Sequence, residues 1–183
     1  MKNLIALGLV SAATIAGTAG AAITSTFGGC TQIAPPPMAD FPFLVGPNAQ
    51  CWDEQVNVTG TIFADLTTNP GSNSLPTPGV LTGMYDSHFI HWTGVPNPQV
   101  IGGVIFSAPI AAVAWGDTFL DLTDATWGAG GTAYPTGAAG RGITAAALVS
   151  VTGNMLRFEY TGLPGAIEIE QLRVWTQDRK NVV

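Results

Sequence analysis

The chain has 183 residues, 12 acidic against 6 basic, and a net charge of −6. No Lys or Arg occurs between Lys2 and Arg141, while Asp40, Asp53, Glu54, Asp65, Asp86, Asp117, Asp121 and Asp124 all lie there. Such a surface argues against nucleic acid and anionic membrane as partners, because phosphate recognition needs basic side chains; a cation or a neutral polymer suits it better.

Residues 1–21 have the form of a signal peptide. Lys2 is the positive start, Leu4–Val10 the apolar run, and Ser11–Ala22 is small and uncharged. Ala19 and Ala21 fit the small-x-small pattern and place cleavage after Ala21, give or take a residue. The strongly apolar part is too short to span a bilayer, and no other segment is long and apolar enough. The expected product is a secreted, extracellular or periplasmic domain with no membrane span. Without Lys2 it carries 12 acids and 5 bases, a net charge of −7.

Residues 22–55 read as an extended N-terminal segment. Pro35-Pro36-Pro37 excludes helix, and Phe41, Phe43, Leu44 and Val45 are expected to tuck under the body as a lid. Cys30 and Cys51 are the only cysteines. Two cysteines in an exported chain suggest a disulfide, worth about 3 kcal/mol in the chain-entropy model.

Residues 56–176 carry the domain. Val56–Thr67 alternates, with Val58, Ile62, Ala64 and Leu66 on one face, which predicts a half-buried strand. Asn57-Val58-Thr59 matches the glycosylation acceptor pattern. Asn69–Gly79 is loop by its Pro, Gly and Ser content. Met84–Trp92 predicts a strand with Asp86, His88, Ile90 and Trp92 on one face and Tyr85, Ser87, Phe89 and His91 on the other. Gly94–Pro98 turns the chain back. Val100–Ser107 and Ile110–Trp115 are apolar on both faces, as strands covered on each side are. Asp117–Trp127 predicts one or two helical turns with Asp117 as cap, and Gly128–Gly142 is loop. Ile143–Val151 is a strand, followed by one in which Leu156, Phe158 and Tyr160 point inward and Arg157 and Glu159 outward. After Leu163-Pro164-Gly165, Ile167 and Ile169 point inward, then Leu172 and Val174; the change of parity predicts a bulge near Glu170–Gln171. Residues 177–183 form a polar tail. The whole predicts an all-β, antiparallel β-sandwich of Greek-key or jelly-roll type with one short helical turn.

Several of these segments, in this order, resemble a group of secreted bacterial proteins of unassigned function. They are Asp86–Trp92, Gly103–Val113, Leu120–Asp124, Gly131–Gly137, Arg141-Gly142 and Leu172–Thr176. Many members of that group carry a PEP-CTERM sorting tail, and no Pro-Glu-Pro motif occurs in this sequence. The resemblance implies a sandwich fold and an extracellular setting, and it assigns no catalytic residues.

Three sets of residues could carry chemistry. His88 and His91, the only histidines, would share a metal ion only if a bulge brought both to one side, because residues three apart in a strand point oppositely; otherwise they are hydrogen-bonded strand histidines. Asp117, Asp121 and Asp124 recur at helical spacing and could bind calcium, which takes oxygen ligands, or serve as caps and turns with Arg141 as ion partner. Trp52, Trp92, Trp115, Trp127 and Trp175 are each read first as core packing, Trp115 above all; if any are exposed, the pair is Trp92 and Trp127, able with Tyr134 to stack on sugar rings. Asp86 joins the candidate ligand-binding residues. No nucleophile elbow, zinc-hydrolase motif or phosphate loop is present. The expected function is non-catalytic binding of an extracellular polysaccharide or other polymer through Gly116–Gly142 and Asn69–Gly79, with no required cofactor. Self-association as a matrix protein is the alternative, and a metal-dependent hydrolase the second.

Overall fold

The computed structural model describes residues 20–40, 43–94, 99–162 and 168–177. The expected leader therefore lies almost wholly outside the described residues, as do Phe41, Ile167, the centres of the turns at 94–98 and 163–165, and nearly all of the tail. In chain order the strands are β1 (Ile23–Gly28), β2 (Cys30–Gln32), β3 (Ala49–Asp53), β4 (Val58–Ala64), β5 (Gly71–Ser72), β6 (Gly79–Gly94), β7 (Gln99–Phe106) and β8 (Ile110–Ala114). Helix α1 (Asp117–Trp127) follows, then β9 (Leu148–Thr152), β10 (Met155–Thr161) and β11 (Glu168–Gln177).

Two sheets pack face to face, as the sequence predicts. The first has the order β1-β7-β10-β9-β5 and the second β2-β3-β6-β11-β8, with β4 also on β6. The chain changes sheets at β1–β2, β4–β5, β5–β6, β6–β7, β7–β8, β8–β9 and β10–β11, so most connections cross between the sheets. Only β2 with β3 is parallel among the named strands. Ile90, Trp92, Leu172 and Val174 from the second sheet meet Val104, Phe106, Leu156 and Phe158 from the first in one core.

The second sheet is covered on both faces. Its outer face carries Trp52, Phe89, Ala112, Ala114 and Trp175, which form another core with Leu120 and Trp127 of α1. This third layer explains where the sequence expectation departs from the structure. Ile169, Gln171, Arg173 and Trp175 face outward, and the last three are buried beneath the covering layer, while Glu170, Leu172, Val174 and Thr176 face inward. The β11–β6 register runs unbroken from Glu168 to Gln177, so the bulge expected near Glu170–Gln171 is absent there. A shift occurs instead between Trp175 and Thr176 against β8. Parity predicts a bulge only when one face is wet, and here neither is.

Helix α1 has 11 residues, longer than expected. Gly116 is its N-cap, without a side-chain cap bond, so Asp117 is not the cap. The Asp117 carboxylate instead accepts the backbone N–H groups of Gly140 and Gly142, at 2.7 and 2.8 Å, and fastens the following loop. The Asn69–Gly79 loop contains β5, a short edge strand on β9. Of the expected lid, Leu44 is buried, whereas Phe43 and Val45 are exposed.

Cys30 and Cys51 lie on the paired strands β2 and β3 and face one another with their sulfurs 3.5 Å apart. They are thiols in this structure, not the expected disulfide. The Cys51 S–H group donates to the Thr31 carbonyl. The hydrogen bond with Cys30, then burial, push the Cys51 thiol pKa far up.

Candidate functional site

The outer face of β11 carries a buried polar network. Arg173 pairs with Glu54 through Nε–Oε2 at 2.7 Å and Nη2–Oε1 at 2.9 Å. Its Nη1 reaches Thr123 Oγ1 at 2.7 Å and Asp124 Oδ1 at 3.1 Å. The guanidinium lies over Phe89 and Tyr134, 5.0 and 5.1 Å from the ring centroids. Burial by itself lowers the Arg173 pKa; Glu54, then Asp124, more than offset that and raise it. Tyr134 donates its hydroxyl to Glu54, and burial, then the Glu54 charge, raise its pKa.

Arg141 extends the network. It contacts Asp121 at 2.7 Å and Asp124 at 2.5 Å, and donates Nε to Gln171 Oε1 at 2.9 Å. Gln171 Nε2 in turn donates to the Ala39 carbonyl and to His91 Nδ1. His91 therefore accepts at Nδ1 and donates Nε2–H to Thr93 Oγ1. Burial, then the nearby Arg141 charge, hold its pKa down to about 3, against a backbone hydrogen bond to Leu44. His91 is neutral at ordinary pH.

The structure thus brings Asp117, Asp121 and Asp124 to one side of α1 and gives their oxygens to protein donors. Asp121 Oδ2 accepts from Gly137 N, and Asp124 Oδ2 also accepts from Thr136 Oγ1. Among the described residues no group of three or more His, Cys, Asp or Glu side chains is arranged to hold a metal ion.

His88 faces the opposite way from His91, as strand geometry requires. Its Nδ1 lies 2.7 Å from Asp53 Oδ1 and its Nε2 3.0 Å from Thr176 Oγ1. A carboxylate, an imidazole and a hydroxyl in that sequence are the components of a general-base relay. Here His88 and Thr176 are both wholly buried, so the hydroxyl has no path to a substrate. Asp86 is equally buried, and accepts from the backbone N–H groups of Ala21 and Asn57.

The candidate exposed aromatic pair is not exposed. Trp92 and Trp127 both have 0% accessibility. Trp92 stacks on Tyr160 in the inter-sheet core, centroids 5.9 Å apart. Trp127 packs edge-on to Trp175 at 6.0 Å. A Cβ placed on Gly60 would stand 2.9 Å from the Trp127 ring, so this glycine makes room for the indole. Trp115, expected in the core, is only half-buried. Residues far away in sequence bury both rings: the facing sheet covers Trp92, and β4 and β11 lie against Trp127 beneath α1.

The open surface lies on the first sheet instead. Leu148 and Ser150 of β9 face outward beside Glu159 and Arg157 of β10, their register partners. Ser72 pairs with Ser150, and Asn73 fixes the next turn by bonding to the backbone of Ala147, just before β9, and of Val149 within it. Where this turn crosses the sheet it forms a groove of about 230 Å³ lined by Ser72, Ser74, Leu148, Ser150, Arg157 and Glu159. Arg157 is exposed. Among the described residues it forms no ion pair, unlike Arg141 and Arg173. The alternation of β10 marked Arg157 and Glu159 as outward, but nothing local linked them to Ser72 and Ser74. The chain matches none of the known protein families, curated proteins or solved structures with which it was compared.

Proposed function

We propose that this is an exported, non-catalytic β-sandwich that binds a carbohydrate of the extracellular space at the groove between the Ser72–Ser74 turn and β9–β10. The observation that carries this reading is the composition of that groove. Hydroxyl groups from Ser72, Ser74 and Ser150 stand beside Arg157, Glu159 and the apolar Leu148. Sugars present hydroxyls and apolar C–H faces together, and a shallow cleft with few placed polar groups fits them. The signal-like N-terminal stretch supports export, and in an oxidising compartment the apposed Cys30 and Cys51 thiols would join as a disulfide. A polysaccharide pull-down followed by Arg157→Ala and Ser150→Trp tests the site. Loss of binding in both, with folding intact, is expected; unchanged binding in both overturns the assignment.

The alternative is self-association through the same open sheet face. Phe27, Ile101, Leu148 and Met155 are all exposed there, at 37%, 43%, 52% and 37%. Exposed apolar sheet faces favour association. A size-exclusion profile that stays monomeric at high concentration overturns this second reading and leaves the first intact.

A further inference from the structure

Three consecutive residues at the start of the described chain are each held by a distant side chain. Ala21 N–H donates to Asp86 Oδ2, Ala22 N–H to Ser107 Oγ at 3.0 Å, and Ile23 N–H to Asp53 Oδ1 at 3.0 Å. Ala21 belongs to the core, 6% exposed. Gly20 lies against the same carboxylate: a Cβ built on it would stand 2.9 Å from Asp86 Oδ1 and 2.8 Å from Val56.

Asp86 is wholly buried. Both its oxygens accept backbone N–H groups, yet among the described residues it forms no ion pair. Removing a carboxylate from water costs several kcal/mol; two backbone N–H groups offset part of that, and a cation beside it offsets more. One of its two donors, Ala21, and the adjoining Gly20 stand at the expected leader boundary; the other donor is Asn57. Resting on the export reading above, we propose that the leader is removed immediately before Gly20 or Ala21, and that the α-ammonium group so created is the counter-ion of Asp86.

The step is a hydrolysis by a leader peptidase. Water cleaves the peptide bond, a carboxylate leaves on the released leader, and the new amino group takes a proton. The small-x-small requirement is met in either register, by Gly17 and Ala19 or by Thr18 and Gly20. Cleavage after Ala21, the register the sequence suggests, would strip a core residue from the fold and take the Ala21 donor away from Asp86.

Lysine occurs only at positions 2 and 180. After processing, the α-amine and Lys180 are thus the only amines, and one labels as the reference for the other. The full chain is expressed in an exporting host, and the secreted product is analysed by intact mass and N-terminal sequencing. It is then labelled with an amine-acylating reagent near neutral pH, alongside Asp86→Asn. A start at Gly20 or Ala21 is expected, with the α-amine acylated about tenfold more slowly than in Asp86→Asn, relative to Lys180. A start at Ala22 or later overturns the proposal and spares the export reading; a product retaining the leader overturns both. Equal labelling in the two proteins overturns the ion pair even if the start is as proposed.

Discussion

Arg173 and Glu54 form a doubly hydrogen-bonded ion pair in which both side chains have 0% exposure. They come from the middle of β11 and from just beyond the end of β3. The pair sits under α1 with Asp124, Tyr134 and Phe89 around it. It joins the sheet to its covering layer, and it uses one of the few bases in an acidic chain.

Breaking that pair from one side strands a buried charge. Glu54→Leu and Arg173→Met are each expected to cost about 3–5 kcal/mol in urea unfolding. The double variant Glu54→Leu/Arg173→Met is expected to recover much of that loss, because the second change removes the stranded charge. Strict additivity of the two losses would show that the pair is not coupled.

His91 makes stability depend on pH in a defined direction. Its folded pKa is about 3 against an ordinary 6.5, so between those values the unfolded chain binds the extra proton. The contribution is complete above pH 6.5 and is lost as pH falls toward 3, by about 1.4 kcal/mol per pH unit for this one group. Urea unfolding measured across that range should show a shallower slope in His91→Gln than in the parent. Parallel slopes would show that His91 is not the source.

Trp127 and Arg157 should separate stability from binding. Trp127→Ala opens a cavity between α1 and β4 and is expected to cost about 3–5 kcal/mol. Arg157→Ala removes an exposed side chain and is expected to change stability by no more than about 0.5 kcal/mol while abolishing polysaccharide retention. A Trp127→Ala protein of normal melting temperature would contradict the packing described here.

The two thiols lie close enough to test as a redox pair. Glutathione disulfide is the oxidant and accepts the two electrons, giving two glutathione molecules and a protein lighter by two hydrogens. The protein recovered from an exported compartment is expected to resist alkylation in denaturant until reduced. Full alkylation without reductant would show that the thiols stay apart. Under reducing conditions Cys51→Ala removes only the packing and hydrogen bonds of one buried thiol and is expected to cost about 1 kcal/mol, with no covalent bond to lose.

Much of the fold was legible because it rests on local alternation. Val58–Ala64 buries Ile62 and Ala64 on one face, and β10 buries Leu156, Phe158 and Tyr160 while turning Arg157 outward. The opposed directions of His88 and His91 followed from strand geometry alone. The candidate site was less legible. Its turn was recognised as loop from Pro, Gly and Ser, but its pairing with β9 spans Ser72 to Ser150, and no periodicity reports a contact across that separation.

From composition and pattern alone came the all-β class, the acidic character, the two alternating faces of β4 and β10, and the spacing that puts three aspartates on one side of α1. Which faces meet water was decided only by the tertiary structure. A strand's alternation distinguishes two faces but not what covers them. Here α1 and the loop after it settle over one sheet and bury Trp127, Arg141 and Arg173, while the other sheet stays open above Arg157.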